Sequence, residues 1–128
     1  MTKVLLVEPD DDLCLFLQLA ISGAGCRTII TGSFTEADHA LHGTEEIDVV
    51  VTQAKLPGGS GLTLARDALQ LGKRIFILRG SRRWVELRDR DGILFRGDRL
   101  AVGDFLKKAI RHPTTRRAFN AGTAGRGC

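Results

Sequence analysis

The sequence predicts an open, doubly wound α/β fold built on a parallel sheet, and three observations carry that expectation. Apolar runs rich in β-branched residues recur along the chain, amphipathic stretches with helix caps lie between them, and the two kinds alternate. Runs that are apolar throughout suit strands buried on both faces, the condition of a parallel sheet sandwiched between helices. Alternation of strands and helices implies right-handed crossovers and helices on both faces.

The strands are expected at 3–7 (KVLLV), 27–31 (RTIIT), 47–51 (IDVVV), 74–78 (RIFIL) and, shorter, 93–96 (ILFR). The first helix opens in "DDD", whose carboxylates favour a helix amino end, and carries Leu13, Phe16, Leu17 and Ala20 at helical spacing before Gly23 and Gly25. A second starts at the capping box Ser33-x-x-Glu36 and ends at Gly43. "SGLTLARDALQLG" and "DRLAVGDFLKKAIRH" supply two more, the latter closed by Pro113. Between the last two strands, "SRRWVELRDRDG" offers only Trp84, Val85 and Leu87 as apolar residues and is expected to form a shortened fourth helix. Residues 1–113 thus form one domain, and 114–128, small, polar and basic, are expected to be a flexible tail or the start of a linker.

A chain of 128 residues, 43% hydrophobic and 27% charged, suits one ordinary globular domain. No apolar run is long enough to span a bilayer, and the amino terminus shows no secretory cleavage pattern, so a cytoplasmic protein without a membrane role is expected. Three cysteines without C-x-x-C spacing argue against a disulfide framework or a zinc site. The net charge of +4 comes without aromatic interleaving, which disfavours nucleic acid as a partner. His39, His42 and His112 are scattered, and the GGSG at 58–61 lacks the Lys-Ser/Thr ending of a phosphate loop, so an enzyme is not expected.

Ligands of open parallel sheets bind beyond the carboxyl ends of the strands. Those ends present Glu8-Pro9-Asp10, Thr52-Gln53, Arg79-Gly80 and Arg96-Gly97. With "DVVVTQAKLPGGSGL", "KVLLVEPDDDL" and "DGILFR", the chain resembles the receiver domain of two-component response regulators over about residues 3–112. The resemblance implies a flavodoxin-like sheet of five parallel strands in the order 2-1-3-4-5. It also implies a site in which an aspartate accepts a phosphoryl group beside a magnesium ion, a hydroxyl and a lysine. Here Gln53 stands at the phosphoacceptor position, Glu8, Pro9 and Asp10 at the acidic pocket, Arg79 at the hydroxyl and Arg96 at the lysine.

These departures imply a degenerate receiver, with no metal or cofactor, that acts by phosphorylation-independent contact with a protein: a histidine kinase, an output protein or a second copy in a homodimer. Arg83, Trp84, Arg88, Asp104 and Lys108 are the candidate contacts, on the face that the family commonly uses. Another reading is a sensor of small anions gripped by Arg79 and Arg96. Against it stands the expectation that these arginines pair with Glu8 and Asp10 and fill the metal's place, with Arg79 reaching toward Glu8 or Gln53 as a fixed lock.

Overall fold

A computed structural model describes residues 1–80 and 83–111. The expected tail at 114–128, with His112 and Pro113, lies outside the described residues. Four parallel strands form the centre of the sheet: β1 (Lys3–Val7), β2 (Arg27–Thr31), β3 (Val49–Gln53) and β6 (Arg74–Gly80). β1 pairs with β2 from Lys3↔Arg27 to Val7↔Thr31 and with β3 from Val4↔Val49 to Val7↔Thr52; β3 then pairs with β6. The expected order 2-1-3-4 therefore holds for these four strands, and the fold is α/β with a central parallel sheet.

The expected fourth helix is a strand. β7 (Trp84–Asp89) runs antiparallel to β6, and β8 (Gly92–Asp98) runs antiparallel to β7, giving six strands in the order β2-β1-β3-β6-β7-β8. The expected fifth strand is thus sixth in the sheet. The physical reason lies in the side-chain period: Val85 and Leu87, two apart, enter the core on one face, while Trp84, Glu86 and Arg88 take the other, an alternation of two that suits a strand and not a helix. The Asp91-Gly92 pair is a hairpin signal, and Asp89 Oδ1 closes the turn by accepting from the backbone N–H of Asp91 at 2.8 Å and Gly92 at 3.2 Å.

Two cores flank the sheet. α1 (Asp11–Gly23) and α4 (Val102–Arg111) cover one face, where Leu13, Leu17, Ile21 and Leu106 meet Val4, Leu6, Val51, Phe76, Leu78, Val85 and Leu87. α2 (Phe34–Leu41) and α3 (Gly61–Gln70) cover the other, where Ala37, Leu41, Leu64 and Ala68 meet Leu5, Val7, Val50 and Ile75. The missing helix would have stood beside α3. In its absence, a groove of about 430 Å³ runs between α3 and the β6–β8 ribbon, lined by Leu62, Arg66, Ile77, Arg79 and Arg88 among others.

The helix ends are satisfied locally. Asp10 caps α1, its Oδ1 accepting from the N–H of Asp12 and Leu13 at 3.0 and 3.1 Å, as its place before the helix predicts. Ser33 Oγ accepts from Glu36 N–H at 3.3 Å, while the Glu36 carboxylate accepts from Gly32 N–H at 3.2 Å. Arg74 Nη1 and Nη2 donate to the last carbonyls of α4, Ile110 at 3.3 Å and Ala109 at 2.9 Å, which ties that helix to the start of β6.

The turn "KLPGGS" is a minimal antiparallel pair, β4 (Lys55–Leu56) and β5 (Gly59–Ser60), bent at Pro57-Gly58 with Gly58 at φ 81°. Pro before a positive-φ Gly is the chemistry of a type II turn. It sets α3 against the tip of β3.

Candidate functional site

Three strand ends converge beyond the carboxyl edge of the sheet. β1 delivers Glu8, which extends the ladder by donating its N–H to Thr31 O at 3.1 Å. β3 delivers Gln53, and the turn after β8 delivers Arg99. Val4, Leu6, Val49 and Val51 point to the core under α1 and α4. Glu8 and Gln53, two residues further along their strands, share that face by the same alternation.

Gln53 Nε2 donates to Glu8 Oε1 at 2.8 Å, and the Asp10 N–H donates to Glu8 Oε2 at 3.1 Å. Glu8 is only 4% exposed, and both of its oxygens are engaged. Burial pushes its pKa above the ordinary carboxylate range; the bonds from Gln53 and the Asp10 backbone oppose this, the Asp10 charge adds to it, and Arg99 pulls it back. Arg99, whose side chain is 18% exposed, lies with Nη2 3.6 Å from Asp10 Oδ1. Burial likewise raises the thiol pKa of Cys14 and Cys26, which act as small apolar residues rather than nucleophiles.

The two arginines expected here go elsewhere. Arg96 Nη2 donates to Glu86 Oε1 at 2.9 Å, and Arg88 Nε sits 3.6 Å from Glu86 Oε2. β8 is separated from β6 by β7, so Arg96 stands two strand spacings, about 10 Å, from the tip of β6. It faces the side of the sheet away from α4, opposite Glu86 in register. Arg79 is exposed, and among the described residues no hydrogen bond or ion pair engages its guanidinium. The expectation that Arg79 and Arg96 fill the pocket beside Glu8 is therefore overturned, and with it the fixed lock across Glu8 and Gln53. Arg99 is the cation of this site. Sequence reasoning placed the positive group at Arg96 because "DGILFR" matched a strand tip; the hairpin moves that tip outward, and the chain returns to the pocket only after Asp98.

The five candidate contact residues fall on two faces. Trp84 and Arg88 project from β7 on the open side, since Val85 and Leu87 between them enter the α4 core. Asp104 and Lys108 are exposed on α4, on the opposite side of the sheet, and Arg83 directly precedes β7. A single surface through all five does not exist.

Magnesium, which the family resemblance implies, fails to fit the donors. Glu8 spends both oxygens on internal bonds, Pro9 has no ligand atom in its side chain, and Asp10 is held by the α1 amino end and faced by Arg99. Elsewhere among the described residues, Asp38, His42 and Asp67 bring possible ligand atoms within 4.8 Å of one another between α2 and α3. His42 Nδ1 there lies 3.0 Å from Asp38 O and 3.3 Å from Asp38 Oδ1.

Glu8 makes a testable pH signature. Its folded pKa is raised, so native Glu8 holds a proton more tightly than the unfolded chain does. The stability it contributes is fully present below the unfolded pKa and is lost as pH rises through the folded value. The stability of the wild type minus that of Glu8→Gln should fall as pH rises from about 4 toward neutrality. Urea denaturation at a series of pH values measures this, and a difference that grows over the window would show the carboxylate to be stabilised as the anion instead.

No family model matches the sequence, and no curated protein matches it. Among solved structures, a two-component response regulator from Clostridium difficile superposes with a TM-score of 0.54 at 22% identity, covering 60% of this chain and 64% of that one. The fold is receiver-like. A sensor protein from Polaromonas sp. JS666 gives a TM-score of 0.50 at 21% identity, with 59% and 63% covered. The matched part spans less than two thirds of either structure. A receiver-like fold matches the expectation drawn from the Leu56-Pro57-Gly58 turn and the strand order. No helix among the described residues is long and apolar enough to cross a membrane.

Proposed function

We propose that this receiver-like domain works in two-component-type signalling as a degenerate receiver, by protein–protein interaction that needs no phosphoryl transfer. The observation that carries the reading is the 2.8 Å bond from Gln53 Nε2 to Glu8 Oε1. An amide at the phosphoacceptor position has no carboxylate oxygen to attack phosphorus, and here it is turned inward as a donor. The carboxylate that would help hold a metal is its acceptor. The pocket is closed on itself.

The protein partner is a kinase, an output protein or a second copy, and the two faces described above offer it different chemistry. Trp84 and Arg88 present an aromatic and a cation on the open ribbon, and Asp104 and Lys108 present a mixed pair on α4. The reading is tested by incubating the chain with acetyl phosphate and magnesium and recording its intact mass. No change is expected. Gain of one phosphoryl group, lost again in Glu8→Gln, would overturn the proposal.

A further inference from the structure

A second cavity, of about 580 Å³, opens at the carboxyl end of the sheet and is lined by Gln53, Ala54, Lys55, Ser60, Leu62, Arg79, Gly80 and Trp84. We infer that it binds a small anion carrying a flat ring, of the nucleoside monophosphate class. Its size lies within the range of small-molecule sites, about 300–1,000 Å³, and suits one nucleotide rather than a polymer.

Charge selects the anion. Lys55 and Arg79 both line the cavity, both are exposed, and among the described residues neither makes an ion pair or hydrogen bond through its side chain. Among the described residues no carboxylate belongs to the lining, and Glu86, opposite Arg79 across β6 and β7, is already engaged by Arg96 and Arg88. The amino end of the ten-residue α3, with Ser60 as its cap, forms part of the same wall and adds a favourable dipole.

The flat ring follows from Trp84. This indole is 45% exposed on the cavity wall although it is the largest apolar side chain of the ribbon. An indole offers a stacking surface to a base and is sequence-tolerant in doing so. Gly80, at φ 144°, lets the backbone of β6 run against Trp84 and Val85, where a β-carbon would collide with the Trp84 carbonyl. That contact fixes the indole-bearing strand beside the cations. Inorganic phosphate would use the cations and leave the indole bare. The inference does not rest on the loss of phosphotransfer, because it uses none of Glu8, Asp10 or Arg99.

The test exploits composition. Trp84 is the only tryptophan and the chain has no tyrosine, so intrinsic fluorescence reports this cavity directly. The full chain is titrated with AMP, GMP, guanosine and inorganic phosphate, and binding heats are measured in parallel. One nucleotide is expected to give a saturable change in Trp84 emission, with guanosine and phosphate each weaker by about tenfold or more. Arg79→Gln and Lys55→Gln, both at exposed positions, should each weaken it by about tenfold while the melting temperature stays put. Absence of saturable signal and of heat up to about 10 mM of either nucleotide overturns the inference. So does equal binding of phosphate alone, which removes the ring, or undiminished binding in both variants, which moves the ligand elsewhere.

Discussion

Gly61→Ala is expected to destabilise the fold by about 3 kcal/mol or more, visible as a fall in Tm on the order of 10 °C. Gly61 is the first residue of α3, and its N–H donates to Ala54 O at 2.8 Å, which presses the helix onto the end of β3. A β-carbon added there would overlap the carbonyl oxygen of Gln53 and come within 2.9 Å of Thr52 Oγ1. Neither obstacle can yield cheaply. Gln53 is backbone paired with Leu78 of β6, and the adjoining Thr52, paired with Val7 of β1, is fully buried. Either α3 lifts away, exposing Leu64, Ala65 and Ala68, or the tip of β3 is displaced together with the Gln53–Glu8 bond. Gly32→Ala is the control, since a β-carbon there meets nothing nearer than 4.0 Å and φ is ordinary. Chemical denaturation of both variants decides it; Gly61→Ala within about 1 kcal/mol of the wild type would show that the helix can slide freely on the strand.

The same glycine explains why the "LPGGSG" turn announces a fold and not a chemistry. Its residues serve a close approach between α3 and β3, whatever side chain sits at the tip of β3. Much of the architecture was legible for comparable reasons. The run at 3–7 coincides with β1 because every residue past Lys3 is buried, and apolar composition then reports position directly. The run at 27–31 coincides with β2, an edge strand only partly covered, through its β-branched residues. Asp10, Ser33 and Ser60 mark helix starts because a capping oxygen is a local device that needs no tertiary context.

The ribbon was not legible because its two interpretations differ only in period. Trp84, Val85 and Leu87 were too few apolar residues to define a helical stripe, yet Val85 and Leu87 alone suffice for a strand buried on one face. Once β7 is inserted, every inference about the last strand shifts outward. Arg96 then meets Glu86, a carboxylate of the ribbon itself, and Arg99 takes the place beside Asp10. Glu8 and Gln53 do stand in one pocket, as their strand ends imply, because β1 and β3 are neighbours whatever happens at the far edge. A site residue was readable where it hung on the central strands, and unreadable where it hung on the edge.

Gln53→Asp is expected to cost about 1–3 kcal/mol at neutral pH, and to create no phosphoacceptor. The substitution removes the donor that Glu8 Oε1 accepts at 2.8 Å and sets a second carboxylate toward a buried one. Glu8 already has its pKa raised by burial, and a like charge nearby raises the pair further. With folded pKa values above the unfolded ones, the stability deficit should be large at neutral pH and shrink as pH falls through the raised folded values toward the ordinary carboxylate range. Gln53→Asn shortens the side chain equally but adds no charge, so its deficit should be smaller and nearly independent of pH over that window. Magnesium at millimolar concentration should not restore the melting temperature of Gln53→Asp. Pro9 still supplies no side-chain ligand, and Asp10 remains committed to the Asp12 and Leu13 N–H groups and faced by Arg99. Recovery of stability on adding magnesium, together with a phosphoryl mass gain from acetyl phosphate, would show that Glu8 and Asp10 can reorganise into a metal site and that one amide alone keeps this pocket silent.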